Sequence, residues 1–347
     1  MKCIKSLAGV ALALGVLAGC GPEKKELHIY TWSDYIGDTV IAKFEKENNC
    51  RVVVDSFDSN EAMFAKLQAG STGYDIIMPT SYQIPVMIRN KMIAKLDKSK
   101  LPNVVKNFDK GYYSAILDKS MDYNVPYAVT YAGFVYRKDK VGNAPVDTWK
   151  LFENEAVKGR IAILNDMRET IGAALKALGK SLNSTSQADI DAAVDLVIKW
   201  KKNVVKFDNE QYKTAVASGE WFAGHGYSSD SIQVMIDDKN VGFTLPKEGF
   251  SIACDEMVIA STSKNSDLAH AFINYLYDEK VALENMEYIC APMPVAPALA
   301  ALSPELKPLL SLSPEMLKRG EVLRDFDDDP KVRDMYIKAW DKIKAGK

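Results

Sequence analysis

Aromatic rings stand beside carboxylates at points where the chain leaves predicted strands. Trp32 ends the first predicted strand, Asp34 and Tyr35 follow in the turn, and Tyr82 has the same position after the third strand. Ligands of open α/β sheets bind outside the carboxyl ends of strands. Because the face of a ring is electronegative, converging rings hold an ammonium group or cover a hydrocarbon chain, each for roughly 0.5–2 kcal/mol. The pattern predicts a cation site, although core packing would explain each ring alone equally well.

Further carboxylates follow predicted strands or interrupt them. Asp166 and Glu169 fit a capping box, which would by itself explain both residues. Asp230 opens a predicted helix, where an acid favours the positive end of the dipole. Asp255 and Glu256 interrupt an apolar strand, where a buried charged pair costs several kcal/mol unless it is compensated. This last pair is the hardest to explain without a partner.

The sequence contains none of the common catalytic motifs. GxxxxGK[ST], HExxH, GxSxG and a strand followed by GxGxxG are all absent. The three histidines are predicted in a strand (His28), in a loop between glycines (His225) and on a helix (His270), and none is predicted to be catalytic. We therefore predict a binding protein that is not an enzyme and uses no cofactor or metal.

Composition and charge restrict the ligand. The chain has 347 residues, 47% of them hydrophobic, which is enough for two domains with ordinary cores. Its 44 Lys and Arg against 46 Asp and Glu give a net charge of −2. Such a balance gives no positive field for nucleic acid or anionic lipid, so the expected charged ligand is a cation.

The N-terminus has the pattern of a secretory signal at residues 1–19. A short basic segment precedes the apolar run at 7–17, which is too short for a permanent span, and LAGC at 17–20 resembles a bacterial lipobox. This resemblance implies that Cys20 carries lipid and that residues 20–26 form a tether. Cleavage that releases a soluble protein is the alternative.

Three cysteines remain beyond Cys20. Cys50, Cys254 and Cys290 show no CxxC or CxH spacing, so neither a zinc site nor a redox pair is indicated. At most one disulfide is possible. Their apolar neighbours favour small buried side chains.

Short apolar runs alternate with amphipathic helical patterns, which is typical of parallel sheets covered by helices. The first series comprises strands at 27–32, 51–54 and 74–78 and helices at 38–47 and 58–68. The second series, after 142–145, comprises strands at 160–164 and 204–207 and helices at 169–178 and 187–202. Ser or Asp before Pro304, Pro314 and Pro330 predicts three later helix starts. The two series predict two α/β lobes.

Several segments closely resemble the spermidine/putrescine-binding proteins of bacterial ABC importers. They are LHIYTWSDYI at 27–36, FDSNE at 57–61, KLQAGSTGYD at 66–75, LDKSKLP at 96–102, NAPVDTW at 143–149, PKEG at 246–249 and AWDKIKAGK at 339–347. The resemblance implies a two-lobed type II periplasmic binding protein with mainly parallel sheets and a hinge of two crossing strands. Lobe one would comprise 27–134 plus 256–303, and lobe two 135–255 plus 304–347.

The resemblance also implies a set of ligand-binding residues. They are Trp32, Ser33, Tyr35, Ser81, Tyr82, Asp166, Glu169, Tyr227, Asp230 and Asp255. The chain departs from the family pattern at Ala253 and Ala291, where relatives carry rings, and at Leu323, where spermidine-preferring relatives carry glutamine. Tyr131 or Phe222 would supply replacement rings. The polyamine class follows from the resemblance, and the particular polyamine does not.

The implied function is extracytoplasmic binding of putrescine or spermidine and its delivery to an ABC permease by closure of the lobes. The protein would be held at the membrane through Cys20 and would bind no nucleic acid. Three alternatives stay open: ferric iron bound by paired tyrosines, a cationic amino acid with Arg168 as the one obvious partner for its α-carboxylate, and a thiaminase-like enzyme using Cys254 with Asp255 or Glu256.

Overall fold

The computed structural model describes residues 24–311, 313–324, 326 and 329–346. The predicted signal segment, the lipidation site Cys20 and the start of the tether lie outside the described residues. No helix in the described part of the chain is long and apolar enough to cross a membrane.

Lobe one is built around three parallel strands in the order β2-β1-β3. Its N-terminal elements are β1 (Lys25–Trp32), α1 (Asp38–Asn48), β2 (Cys50–Phe57), α2 (Asn60–Gln68), β3 (Ile76–Ile77), α3 (Ile84–Arg89) and α4 (Pro102–Asn107). Leu27 and Ile29 of β1 are fully buried, as expected for a strand covered on both faces. The side chain of Ser59 caps α2, which therefore begins two residues later than predicted.

Two long antiparallel strands connect the lobes. β4 (Asn124–Arg137) pairs through its first half with β9 (Phe250–Ile259) and through its second half with two strands of lobe two, β7 (Ala223–Tyr227) and β8 (Val241–Thr244). β9 continues to Ile259, where it pairs with β3 of lobe one. β4 and β9 therefore run from one lobe into the other. Each pairs with strands of lobe one near one of its ends and with strands of lobe two near the other end.

Lobe two repeats the architecture with the parallel order β7-β5-β6. Its elements are β5 (Ile161–Ile163), α5 (Met167–Ala177), α6 (Gln187–Trp200), β6 (Val204–Phe207), α7 (Tyr212–Ser218), β7 (Ala223–Tyr227), α8 (Ser228–Asp237) and β8 (Val241–Thr244). The side chain of Asp166 caps α5, as the sequence predicts, by accepting a 2.9 Å hydrogen bond from the Glu169 N–H group.

The chain then returns to lobe one and finishes on lobe two. The remaining elements are α9 (Ser266–Leu276), α10 (Glu279–Ile289), α11 (Ala296–Ala301), α12 (Lys307–Leu310), α13 (Pro314–Arg319), β10 (Gly320–Val322) and α14 (Pro330–Ala345). The predicted starts at Pro314 and Pro330 are confirmed, with Ser313 and Asp329 as caps. The prediction at Pro304 is wrong, because that proline lies in a turn before α12.

The two lobes have separate apolar cores, which agrees with the predicted fold class. Phe44, Phe272 and Met286 lie in the largest cluster of lobe one, whereas Trp149 and Trp200 lie in that of lobe two. Leu310 of α12 packs into the lobe-one cluster, so the segment after residue 303 contributes to both lobes.

The prediction of a loop at His225 is wrong, because this residue lies in β7 and is fully buried. Its ring packs against Trp149, with a centroid separation of 5.0 Å, and burial lowers the pKa of the imidazole to about 3. The flanking glycine, Gly226, serves packing rather than a turn, since a Cβ atom there would lie 2.1 Å from the Tyr212 ring.

Candidate ligand-binding site

A cleft between the lobes contains about 760 Å³ of space free of protein atoms, part of it open to solvent. Nine of the ten predicted ligand residues line it: Trp32, Ser33, Tyr35, Tyr82, Asp166, Glu169, Tyr227, Asp230 and Asp255. Four of these nine carry aromatic rings and four carry carboxylates. The structure therefore brings together residues from both lobes that are up to 223 positions apart in the sequence.

The rings are held by the ends of strands and by contacts behind them. Trp32 ends β1, and its indole packs on Phe57 at a centroid separation of 4.4 Å. Tyr82 lies in a 3-10 helix after β3, and its hydroxyl accepts a 2.9 Å hydrogen bond from the Asn60 side chain. Tyr227 ends β7 in the opposite lobe. The cleft thus has flat apolar surfaces on both sides.

Asp255 reaches the cleft from the middle of β9. Its carboxylate accepts hydrogen bonds from the Tyr35 hydroxyl at 2.5 Å and from the Thr80 hydroxyl at 2.7 Å. Burial raises its pKa to about 6, although both hydrogen bonds act in the other direction. Only 6% of the residue is exposed, and its two described partners are neutral hydroxyl groups. When ionised, the carboxylate is therefore a buried negative charge whose described partners are both neutral, and a bound cation would stabilise it.

Glu256, the next residue, points to the opposite face of β9 because side chains alternate along a strand. It is fully buried and accepts hydrogen bonds from the Ser81 and Asn124 side chains. Burial raises its pKa to about 7. The unusual charged pair noticed in the sequence therefore separates into one acid in the cleft and one acid in the hinge region.

Asp166 and Glu169 supply two further buried acids from lobe two. Asp166 caps α5 through one oxygen, while the other accepts a 3.2 Å hydrogen bond from the Tyr227 hydroxyl. Glu169 accepts a 2.5 Å hydrogen bond from Ser251. Burial raises the pKa of both carboxyl groups, and Asp166 raises that of Glu169 further. The side chain of Asp166 thus both caps α5 and lines the cleft. The capping interpretation of the sequence and the ligand-site interpretation therefore do not exclude each other.

Arg168 lies beside these two acids without lining the cleft. Its guanidinium group lies 4.0 Å from the centroid of the Phe326 ring and donates a hydrogen bond to the Arg324 carbonyl oxygen. Its charge lowers the pKa of Asp166 and Glu169, but less than burial raises it. With Asp255 the buried part of the cleft lining holds three acids, and Arg168 is a fixed positive charge beside two of them.

Asp230 differs from the other predicted acids because it is already paired. The Tyr212 hydroxyl donates to one of its oxygens at 2.7 Å, and the Lys213 ammonium group lies 3.0 Å from the other. Lys213 also reaches Asp34 of lobe one at 3.1 Å. This lysine is the one basic side chain among the described residues that line the cleft.

Several predicted positions do not line the cleft. Ser81 directs its hydroxyl away, to Glu256 and to the Cys254 carbonyl oxygen. Tyr131 packs against Phe243 and Phe250, and Phe222 packs on the core of lobe two, so neither supplies a replacement ring. Ala253 and Leu323 do face the cleft, where they present apolar side chains.

Cys254, the candidate nucleophile, is fully buried on the face of β9 opposite Asp255. Burial raises the pKa of its thiol well above the ordinary value, which disfavours the reactive thiolate. Cys50, Cys254 and Cys290 are free and buried, as the sequence predicts.

Sequence reasoning missed a group of polar residues in the cleft. They are Asp58, Asn60, Thr80, Thr130, Asn209, Glu210, Lys213 and Ser229. Asp58 and Asn60 follow the carboxyl end of β2, so the rule that pointed to Trp32 could have found them. With Asp58 and Glu210, the described lining contains six carboxylates and a single amine, which makes the cleft strongly attractive for cations.

Comparisons with known proteins identify similar chains. A family model described as bacterial extracellular solute-binding protein matches residues 39–310. A putrescine/cadaverine-binding protein from Pseudomonas aeruginosa is 35% identical, with 98% of this chain and 99% of the relative covered. A spermidine/putrescine ABC transporter substrate-binding protein from Streptococcus pneumoniae aligns with a TM-score of 0.76 at 30% identity, over 92% of this chain and 100% of that one. A lipoprotein of Treponema pallidum aligns with a TM-score of 0.81 at 30% identity, over 92% and 99%.

Proposed function

Because the chain belongs to the family of bacterial extracellular solute-binding proteins, we propose that its cleft binds a polyamine of the putrescine and spermidine class for an ABC importer. The observation that carries the proposal is the lining itself, in which six carboxylates and four rings face one lysine. A polyamine has ammonium groups separated by methylene linkers. The acids bind the nitrogens by charge-assisted hydrogen bonds, and the rings cover the linkers.

Buried acids give the site selectivity for charge. Asp166, Glu169 and Asp255 are each at most 7% exposed, and burial raises the pKa of each. A ligand ammonium group removes the cost of ionising them, so binding energy is gained only where ligand nitrogens meet carboxylates. The spacing of the acids therefore selects the distance between the ligand nitrogens, and with it the length of the ligand.

Closure of the lobes around the ligand would present the loaded protein to a permease. β4 and β9 are the segments that would rotate, since they pair with strands of both lobes. We place lobe one at 27–134 plus 256–303 and lobe two at 135–255 plus 304–347, which assigns most residues of the two main apolar cores to different lobes; Ile232 and Leu310 of the lobe-one cluster and Phe134 of the lobe-two cluster are exceptions. No bond of the ligand is made or broken, so the protein is not an enzyme.

We further propose that the protein is a lipoprotein anchored through Cys20 on the extracytoplasmic side of a membrane. The LAGC segment at 17–20 supports this, and so does the similarity to a lipoprotein of Treponema pallidum. Cys20→Ser should abolish lipid attachment and leave ligand binding intact. Detergent partitioning tests this: wild type should enter the detergent phase and the variant the aqueous phase. Equal partitioning of both into the aqueous phase would refute the anchor.

Calorimetric titration of the tag-free mature protein with putrescine and spermidine tests the binding proposal. Butylamine supplies a control with the same carbon chain as putrescine and one ammonium group. Lysine tests the amino acid alternative, and iron(III) citrate tests the metal alternative. We expect saturable binding of at least one polyamine with one site per chain. Absence of heat and of a melting shift with both polyamines would refute the proposed function.

A further inference from the structure

Lys213 places a positive charge inside a cleft that otherwise attracts cations. It extends from α7, and only 17% of its side chain is exposed. Although burial lowers its pKa, the carboxylates of Asp230 and Asp34 raise it overall, so the amine stays charged at neutral pH. The described part of the cleft therefore contains one ammonium group that belongs to the protein.

Packing around α7 fixes the position of the Lys213 ammonium group. The neighbouring residue Tyr212 is fully buried against Gly226, where any side chain would clash with its ring. The Tyr212 hydroxyl donates to Asp230 and accepts the N–H group of Tyr227 at 3.0 Å. These contacts hold α7, β7 and α8 together. The backbone of Lys213 is therefore held in a fixed position close to Asp230.

Lys213 lies at the solvent-exposed end of the cleft. Asp34 is 61% exposed, which puts this end at the rim of the cleft, whereas Asp166, Glu169 and Asp255 are almost fully buried. The Tyr212 hydroxyl contacts one oxygen of Asp230 and the Lys213 ammonium group contacts the other. A ligand nitrogen at Asp230 would therefore lie close to the Lys213 ammonium group and be repelled by it.

The charge of the buried part gives a second, independent indication. When ionised, the three buried acids of the lining, Asp166, Glu169 and Asp255, carry three negative charges, and Arg168, which acts on the first two, carries one positive charge. Glu61 also interacts with Asp166 and Arg168, but it is exposed and does not line the cleft. The balance of −2 matches a ligand with two ammonium groups. A ligand with three ammonium groups would exceed this balance by one positive charge.

We infer that Lys213 is a specificity-determining residue whose ammonium group substitutes for an outer ligand nitrogen at Asp230 and limits the cleft to diamines. This inference rests on the proposed polyamine function. It goes further in naming the ligand subclass and the residue that selects it. Replacing Lys213 by a neutral side chain should free Asp230 for a third nitrogen.

The test is titration of wild type and variants with putrescine as diamine and spermidine as triamine, at one pH and one salt concentration. Wild type should bind the diamine at least tenfold more tightly. Lys213→Met should raise the ratio of triamine to diamine affinity by about tenfold to hundredfold, the range expected when one charge-assisted hydrogen bond is gained. Lys213→Arg keeps the cation, and the exposed Lys199→Met lies far from the cleft, paired with Glu153. Both should stay within about twofold of the wild-type ratio.

The outcomes separate the inference from the function on which it rests. Binding of neither amine to wild type would refute the proposed function. Diamine binding with an unchanged ratio in Lys213→Met, or a wild type that prefers the triamine, would overturn the inference alone. Lys213→Gln is the replacement if Lys213→Met does not melt cooperatively, and the wild-type ratio remains decisive whatever the variants do.

Discussion

Asp255→Asn separates a ligand-binding acid from a structural acid, because it should change stability and affinity in opposite directions. The substitution keeps the shape of the side chain and removes its charge. The oxygen of the new amide would still accept a hydrogen bond from one of the two hydroxyl groups, Tyr35 or Thr80, that now donate to Asp255. The other hydroxyl group can accept from the NH₂ group of the amide.

The magnitude follows from the pKa of Asp255. Burial raises it from 3.8 to about 6, so the folded protein holds the proton more tightly than the unfolded chain does. The contribution of Asp255 to the stability of the ligand-free wild type therefore falls as pH rises from about 4 to about 6. Roughly two pH units correspond to about 3 kcal/mol. Allowing about 1 kcal/mol for the altered hydrogen bonds, Asp255→Asn should gain about 2 kcal/mol at pH 8.

Affinity should move the other way. Loss of a charge-assisted hydrogen bond costs about 1.5–3 kcal/mol, which is about 10- to 150-fold in the dissociation constant. The assay combines denaturant unfolding of the ligand-free protein at pH 4.5 and 8 with calorimetric titration at pH 8. Above pH 6 the variant should be the more stable protein and the weaker binder.

Glu256→Gln is the matched control, since Glu256 neighbours Asp255 on β9 and faces the other side. Its pKa of about 7 predicts a similar gain in stability at pH 8. Its partners, Ser81 and Asn124, lie outside the cleft, so affinity should not change. A wild-type affinity in Asp255→Asn, or an equal loss in Glu256→Gln, would refute our assignment of Asp255 to the ligand.

Two further predictions concern the rings and pH. Trp32→Ala and Tyr82→Ala should each weaken polyamine binding by about 1–3 kcal/mol, because each removes a surface that covers a linker or an ammonium group; Tyr82→Phe keeps the ring and should bind nearly as wild type. Lower melting temperatures with unchanged affinity of the folded fraction would instead assign both rings to packing. Affinity should also rise between pH 5 and pH 7.5, since Asp255, with a pKa of about 6, must lose its proton to pair with an ammonium group that stays charged throughout this range. Titration in two buffers of different ionisation enthalpy should detect the released proton, and a flat affinity without proton release would contradict the prediction.

Local patterns predicted the elements that hold the site. The cap at Asp166, the strand ending at Trp32 and the helix that begins near Asp230 depend on residues within one or two turns, so the sequence alone suffices. The rule that ligands bind at the carboxyl ends of parallel strands led to Trp32, Tyr35 and Tyr82. The full set of ten ligand residues, nine of which line the cleft, was implied by the resemblance to polyamine-binding proteins.

The failures arise from long-range packing. Glycines on both sides of His225 are typical of a loop. Gly226 is nevertheless a strand residue, because the Tyr212 ring, from 14 residues earlier, occupies the space that a side chain at Gly226 would need. Lys213 lies on a helix of seven residues with no strong pattern, and its role depends on Asp34, 179 positions earlier. The resemblance implies Ser81 as a ligand residue, but its hydroxyl donates to Glu256 on the other face of β9.

The carboxylate of Asp166 both caps the first turn of α5 and faces the cleft. This combination of roles affects which residues can change when homologous proteins evolve different ligand preferences. A mutation that moves or removes this acid loses a helix cap worth about 1 kcal/mol together with a ligand contact, so it carries two penalties at once. Ala253 and Leu323 face the same cleft and have no polar side-chain atoms to satisfy. Inherited changes of ligand preference should therefore accumulate at these two positions while the acid stays fixed, and a library for building amine sensors should randomise them first.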